Sequence, residues 1–467
     1  MSNRRVMKFG GTSLQNPERI ARAADIVAAN RKDSEPLIVL SAMGGVTNTL
    51  DDAAGRAAAG DSSYEGLIEE LKRRHLEAVE RLVPVDEKVL ASIPILNLIS
   101  ELGDILRGVE LVRECSPRTR DLVLSFGERM SCLIFAGYLA AQGTPARAID
   151  ARDVIVSDDA HGNAGVDSEE TAVRLERALT GRHDVPVITG FIASTREGVT
   201  TTLGRNGSDY TASIVAAAMK AEVIEIWTDV DGVLSADPRY VPDAFVLDEI
   251  TFQEAMELSY FGAKVIHPYT MIPAVEHGIP VRIRNTFNPQ GAGTWIREIR
   301  GESGPRVATG IASVENVALI NIEGGGMVGM PGVASKVFTA LAHAGVNIIM
   351  ISQASSEHSI CVVCRQEQAS AALASLRVEL ASELASKKIQ RFELLEDLEI
   401  VAVIGERMRG TPGISAQVFG ALGKERINVL AIAQGSSEMN ISFVVHGADR
   451  ERTLQVVHQA FFGPEAP

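Results

Sequence analysis

The sequence predicts an α/β protein in two parts: a sheet covered by helices on both faces over residues 1–300, then two small ferredoxin-like βαββαβ units. Three observations carry this. From residue 5 to about 285, β-rich apolar runs alternate with helical stretches, as in a sheet that is buried on both sides. Between Thr286 and Arg306 the chain turns Gly-, Pro- and Asn-rich without a sustained apolar period, which marks a domain boundary. Beyond it lies an internal repeat with a constant offset of 81 residues: Pro331-Gly332 matches Pro412-Gly413, Val337-Phe338 matches Val418-Phe419, Asn347 matches Asn428, and Gln353-x-Ser355-Ser356-Glu357 matches Gln434-x-Ser436-Ser437-Glu438.

In the first part the strand candidates are Arg5 to Phe9, Leu37 to Ser41, Leu122 to Ser125, Val185 to Thr189, Val223 to Thr228 and Pro280 to Arg284. Asn16 is placed to cap a helix with Pro17 at its first position. Ser62-x-x-Glu65 reads as a capping box that opens an amphipathic run to Val83, so residues 50–115 form a helical insertion between two strands. In the second part the repeats occupy 306–397 and 398–467. The second copy ends before its last strand, and strand-like Val307 to Ser313 precede the first copy; the two units are therefore expected to share or exchange strands.

At 467 residues and 46% apolar, the chain exceeds what one core usually organises, which fits several domains. Its 60 acidic against 45 basic residues give a net charge of −15, which disfavours nucleic acid or an anionic membrane surface as partner. Four cysteines, no apolar signal segment and no apolar run near 20 residues predict a soluble, cytoplasmic protein. Cys361 and Cys364 form a C-x-x-C, but within a strand-like run, so buried structural cysteines are expected rather than a metal or redox pair.

No G-x-x-x-x-G-K-[ST] occurs, so a phosphate would need a different cradle. Lys8-Phe9-Gly10-Gly11-Thr12-Ser13 offers one, with a cation at a strand end followed by glycines whose N–H groups can approach an anion; its bland alternative is a simple turn. Ser41-Ala42-Met43-Gly44-Gly45-Val46-Thr47 repeats the pattern after a second strand. Phe126-Gly127-Glu128 is read as a helix start that carries a carboxylate, or merely a dipole partner. Leu203-Gly204-Arg205-Asn206-Gly207-Ser208-Asp209-Tyr210 supplies a guanidinium fork for a carboxylate or phosphate, and an acid for an ammonium or metal. Trp227-Thr228-Asp229-Val230-Asp231 with Asp237-Pro238-Arg239, and Phe261-Gly262-Ala263-Lys264, complete five polar strand ends; each alone could be a solvated loop or a cap.

Together these segments resemble the aspartate kinases of the amino-acid kinase fold. The similarity is closest to the kinase half of bifunctional aspartate kinase–homoserine dehydrogenases, through Gly204 to Tyr210, Glu225 to Val233, Gln253 to Val265 and the Gln-x-Ser-Ser-Glu repeats. It covers essentially the whole chain; with the sequence ending at Pro467, no dehydrogenase is expected. The resemblance implies a three-layer αβα sandwich followed by two ACT domains. It also implies transfer of the ATP γ-phosphate to the β-carboxylate of L-aspartate with Mg²⁺ and no dedicated protein metal site. Lys8 and Asp209 would then be catalytic; Ser41, Thr47, Glu128, Phe191, Arg205 and Ser208 would bind substrate, with Arg205 on the α-carboxylate and Glu128 on the α-ammonium. Gly10, Gly11, Thr228, Asp229, Asp231, Arg239 and Lys264 would hold nucleotide; where many relatives carry a tyrosine beside the adenine, this chain has Leu234.

An amino-acid effector would meet Met330, Gly332, Val333, Asn347, Gln353 and Gln434. Threonine is favoured over lysine, because lysine-sensitive relatives place an aspartate where this chain has Ile349. A homodimer or higher homo-oligomer through the ACT domains is implied. An acetylglutamate or glutamate 5-kinase is the alternative enzyme, and an inactive amino-acid sensor the alternative class. Gly324-x-Gly326-x-x-Gly329 fits a dinucleotide fingerprint, but no acid follows near Ile351, so nicotinamide binding is not expected.

Overall fold

The computed structural model describes residues 3–262, 268–299, 306–329, 331–353 and 358–464. Its contacts divide into two compact units: Met1–Val233 with Val246–Phe252 and Val265–Gly301, and Leu234–Phe245 with Gln253–Lys264 and Glu302–Pro467. Two segments that precede residue 300 thus pack with the C-terminal repeats.

The first unit is built on the strands β1 (Arg4–Phe9), β2 (Glu35–Leu40), β3 (Ala146–Ile149), β4 (Val185–Thr189), β5 (Ile192–Ser194), β6 (Thr200–Thr202), β7 (Val223–Thr228), β8 (Glu249–Thr251), β9 (Val281–Asn285) and β10 (Thr294–Arg297). Eight of them form a sheet in the order β3-β4-β2-β1-β7-β9-β10-β8, and β5 and β6 make a separate hairpin. The main sheet is parallel except where β10 runs against β9. Strand β1 has β2 on one side and β7 on the other, so the chain order reverses there and a crevice opens at the carboxyl end of β1. Phe9 and Trp227 stack across this junction with ring centroids 5.9 Å apart, both fully buried.

Helices α1 (Pro17–Asn30), α2 (Val46–Ala59), α3 (Tyr64–Leu82), α4 (Lys88–Val112), α5 (Pro117–Ala141), α6 (Ser168–Leu179) and α7 (Gly207–Met219) belong to this unit. Asn16 caps α1 as expected, its Oδ1 accepting from the Arg19 N–H at 3.0 Å. The Ser62-x-x-Glu65 box does not form: α3 starts at Tyr64, and the Ser63 N–H donates instead to Asp61. The expected strand Leu122 to Ser125 is the second turn of α5. Ser116 caps that helix, Pro117 starts it, and Val123, Phe126, Met130 and Ile134 bury one face at helical spacing. A short apolar run is compatible with either element; length and the cap decided for the helix. Helices α4 and α5 are also long and apolar enough, by length and composition, to cross a membrane. Both instead line the core of this unit, through Leu98, Leu102 and Leu106 of α4 and Phe126 and Phe135 of α5.

In the second unit, β11 (Gly310–Glu323), β12 (Ile348–Gln353), β13 (Ser359–Arg365), β14 (Arg391–Ile404), β15 (Ala431–Ala433) and β16 (Asn440–His446) make one antiparallel sheet, ordered β12-β13-β11-β14-β16-β15. The long strands β11 and β14 pair from Gly310↔Ile404 to Glu323↔Arg391. Early β11 therefore packs with the second repeat, where Ile311 joins Val401 and Phe443, and late β11 with the first, where Ile320 and Ile322 join Val337 and Ile360. The repeats share their strands. Two glycines of the apparent dinucleotide fingerprint serve this packing: a Cβ on Gly324 would stand 2.1 Å from the Lys388 carbonyl oxygen, and one on Gly326 would stand 2.6 Å from the Lys388 Cα. Gly405, its counterpart 81 residues on, would likewise meet the Val307 oxygen at 2.5 Å. Cys364 is buried on β13, and Cys361 points its thiol at Asn321 at 3.2 Å; neither is in a disulfide.

Candidate active site

Two glycine loops meet at the carboxyl end of β1. A Cβ on Gly11 would stand 3.2 Å from the Ala42 carbonyl oxygen, and one on Gly44 would stand 2.9 Å from the Gly11 oxygen, so both loops need glycine to approach. Arg74 of α3 ties them together by donating to the Gly44 and Gln15 carbonyls at 2.6 and 2.9 Å. The helical insertion thus fixes the loop geometry, a role nothing near Arg74 in the sequence signals. The Gly10 N–H donates to the Trp227 carbonyl at 3.3 Å, a bond that a bound anion would have to share or displace.

Lys8, next to last in β1, has its Nζ 2.6 Å from Asp209 Oδ1; both side chains are largely buried. Asp209 lies in the first turn of α7, which Asn206 enters in the left-handed conformation (φ 56°). The neighbouring Ser208 accepts from Ser41 Oγ at 3.0 Å, bringing the ends of β2 and α7 together. Gly190 keeps this passage open, since a Cβ there would fall 2.6 Å from Ser208 Oγ. Phe191 takes φ 69° and donates its N–H to Thr211 Oγ1 at 3.0 Å, and Gly207 is bare where a Cβ would strike the Phe191 ring. Thr47 is half-buried in the first turn of α2.

Glu128 sits in the middle of α5, not at a helix start, and is fully enclosed. One carboxyl oxygen accepts the Ala42 N–H at 3.1 Å, and the other has no partner among the described residues. Burial pushes the Glu128 carboxyl up to about 8, with the Ala42 bond only partly offsetting it. Ser131, one turn on, donates to the Ser41 carbonyl at 2.8 Å and holds α5 against the end of β2. Arg205 is exposed, and no partner engages it among the described residues. Lys8, Ser41, Thr47, Glu128, Phe191, Arg205, Ser208 and Asp209 thus all lie where β1, β2 and β4 end and α2, α5 and α7 pass, although in sequence they are scattered over 200 residues.

A second cluster forms where β7 and β9 end. Ser13 Oγ lies 2.7 Å from Thr286 Oγ1 and 3.3 Å from the Trp227 carbonyl. Thr228 receives the Thr286 N–H on its carbonyl at 2.8 Å and donates its hydroxyl to Asp229. Asp231 accepts from Asn285 and Asn288, each at 3.0 Å. Arg239 belongs to the second unit, where Asp237 and Glu315 engage its guanidinium. Lys264 lies outside the described residues.

Of the expected effector residues, Gly332 takes φ 95° before the helix Val333–His343, Val333 is buried, and Asn347 and Gln353 are exposed. Met330 lies outside the described residues. Gln434 lines a cavity of about 220 Å³ with Met408, Thr411, Gly413, Ile414 and Glu438.

The sequence model of the amino acid kinase family matches residues 3–285, and that of the ACT domain matches 320–380 and 401–461. Similar proteins narrow the class. The chain is 40% identical to the bifunctional aspartokinase/homoserine dehydrogenase 1, chloroplastic, of Arabidopsis thaliana over 98% of its length and 51% of the relative. It is 37% identical to aspartokinase 1, chloroplastic, of the same plant, covering 98% of the chain and 80% of that protein. Among solved structures, E. coli aspartokinase III in complex with aspartate and ADP (R-state) aligns with TM-score 0.80 at 32% identity over 98% of this chain and 99% of that one. The same enzyme in complex with lysine and aspartate (T-state) aligns with TM-score 0.82 at 33% identity, over 99% and 100%. The chain belongs to the amino acid kinase family, and within it to the aspartokinases, kinases that carry ACT domains. It spans about half the length of the bifunctional relatives that it matches.

Proposed function

We propose that the protein transfers the γ-phosphoryl group of Mg·ATP to the β-carboxylate of L-aspartate. The product is 4-phospho-L-aspartate, the first intermediate toward lysine, threonine and methionine. Glu128 carries this assignment. It is an enclosed carboxyl with one oxygen left without a partner among the described residues, and an α-ammonium group supplies the missing donor and charge. An N-acylated substrate, as in acetylglutamate kinase, would bring no cation there. Arg205, exposed and without a partner among the described residues, suits the α-carboxylate of the same substrate.

A carboxylate is already ionised at neutral pH, so the transfer needs no general base; the demand is to hold two anions together and stabilise charge on the moving group. Lys8 supplies a fixed positive charge at the crevice, and Asp209 aligns its ammonium group. Mg²⁺ bound with the nucleotide would supply charge neutralisation on the phosphates. Thr228, Asp229 and Asp231 are the groups at the β7 end that would face it and the nucleotide.

We further propose feedback control through the shared-strand repeats, with threonine as effector, acting in a cytoplasmic homo-oligomer. The cavity beside Gln434 is polar and small, which fits a hydroxyl amino acid. The test is ATP consumption with trapping of the acyl phosphate by hydroxylamine, using aspartate, glutamate or N-acetylglutamate as acceptor, with and without threonine or lysine. Hydroxamate with aspartate alone is expected, reduced by threonine. Hydroxamate from N-acetylglutamate, or none from aspartate, would overturn the substrate, and inhibition by lysine alone would overturn the effector.

A further inference from the structure

Asp121 is a buried carboxylate, 2% exposed, that the proposed chemistry does not use. It receives four hydrogen bonds. Thr202 Oγ1 donates to one oxygen at 2.7 Å, and the other collects the Thr202 N–H at 3.2 Å, the Gly162 N–H at 3.0 Å and His161 Nδ1 at 2.9 Å. Buried carboxylates that collect several donors act as rigid joints, because each donor left behind would be desolvated without a partner.

The elements joined here matter. Asp121 lies on α5 seven residues before Glu128, two turns along the same helix face, about 10 Å down the axis. Thr202 ends β6, three residues before Arg205. Between them, Leu203 donates its N–H to the Phe191 carbonyl at 2.8 Å. Gly204, at φ 75°, leaves no room for a Cβ, which would stand 2.4 Å from Asn163 Oδ1 on the loop that also carries His161 and Gly162. That loop is tied back to the hairpin by the Ala164 N–H on the Thr202 carbonyl at 2.9 Å. Arg205 itself has no partner among the described residues, so its position is inherited from this backbone.

We propose that Asp121 is a positioning residue for the amino-acid substrate: it fixes the Arg205 backbone against the helix that carries Glu128, and so sets the spacing at which the two ends of an α-amino-acid zwitterion are met. This rests on the substrate reading above, in which Arg205 takes the α-carboxylate and Glu128 the α-ammonium. The nucleotide cluster at the ends of β7 and β9 shares none of these bonds and is left as it was.

Two variants and two readouts test it. Asp121→Asn turns an amide N–H toward donors, and Thr202→Val removes one hydroxyl bond at constant volume, so the second is informative even if the first folds poorly. In steady-state kinetics on the full chain, KM for aspartate is expected to rise about tenfold or more in Asp121→Asn and by less in Thr202→Val, the scale of one or two lost charge-assisted hydrogen bonds. KM for ATP should change less than about twofold, an outcome that general loosening of the fold would not give. Independently of any activity, the rate of tryptic cleavage after Arg205 in the native, ligand-free protein should rise in both variants. A parallel rise of both KM values, or a fall of kcat alone, would overturn the positioning role, as would unchanged cleavage after Arg205. A wild-type chain inactive on aspartate, with faster cleavage in both variants, would overturn the substrate reading and with it the claim that Asp121 serves that substrate, leaving only the joint.

Discussion

The buried carboxyl of Glu128 makes stability depend on pH in a direction opposite to most acids. In the folded protein it holds its proton up to about 8, whereas in the unfolded chain it loses it near the ordinary value of 4.5. Between these limits the folded state binds a proton that the unfolded state does not. Stability is therefore fully present below 4.5 and is lost as pH rises toward and through 8. From pH 5.5 to 7.5 the loss is two pH units at about 1.4 kcal/mol each, or about 3 kcal/mol. Glu128→Gln keeps the shape and the acceptor for the Ala42 N–H but cannot ionise. Calorimetric melts of both proteins without ligand, at pH 5.5, 6.5 and 7.5, should show the variant gaining on the wild type by about 3 kcal/mol across the series, roughly 6 °C in Tm for a domain of this size. Saturating aspartate should flatten the wild-type dependence, because the bound ammonium supplies the missing countercharge. A difference between the two proteins that stays constant within about 1 kcal/mol from pH 5.5 to 7.5 would refute the reasoning.

Three further outcomes follow from the same structure. Lys8→Met should lower kcat by about 10² or more and destabilise the fold by about 3 kcal/mol, because Asp209 is left without its partner; adding Asp209→Asn should restore the melting temperature without restoring kcat, and recovery of both together would count against a catalytic Lys8. Arg205→Ala should raise KM for aspartate and leave KM for ATP and the melting temperature almost unchanged, since the guanidinium is exposed and has no partner among the described residues; a rise confined to ATP would reverse the assignment. His75, wholly buried on α3 with one ring nitrogen on the Leu71 carbonyl and the other without a partner among the described residues, is held down to about 4 by burial. Its stabilising contribution as a neutral ring is therefore lost as pH falls from 6.5 toward 4, and His75→Leu should flatten that limb of the urea-denaturation profile; parallel profiles would exclude His75 as the cause.

Much of the architecture was decided locally and could be read in the chain. The alternation of strands and helices, the Asn16-Pro17 start of α1 and the 81-residue repeat all depend on side-chain period and turn chemistry, which neighbours in sequence determine. The glycine loops after β1 and β2 were legible for the same reason, because paired glycines soon after an apolar strand favour a turn. Leu122 to Ser125 failed as a strand because four apolar-rich residues fit either period; the Ser116-Pro117 start and the length of α5 decide for the helix, and Gly127 lets it pack against Ala42 and Leu50. Tertiary structure alone decided the rest. The partner of Lys8 lies 201 residues away, the joint at Asp121 collects donors from segments 40 and 81 residues distant, and Arg74 holds two loops from an inserted helix. Such contacts carry no local signature: they exist because the fold brings strand ends, loops and helices from distant parts of the chain together, where their polar groups meet. Proton affinity belongs to the same category, since nothing in the sequence around Glu128 or His75 states that the fold will deny either of them a solvent shell.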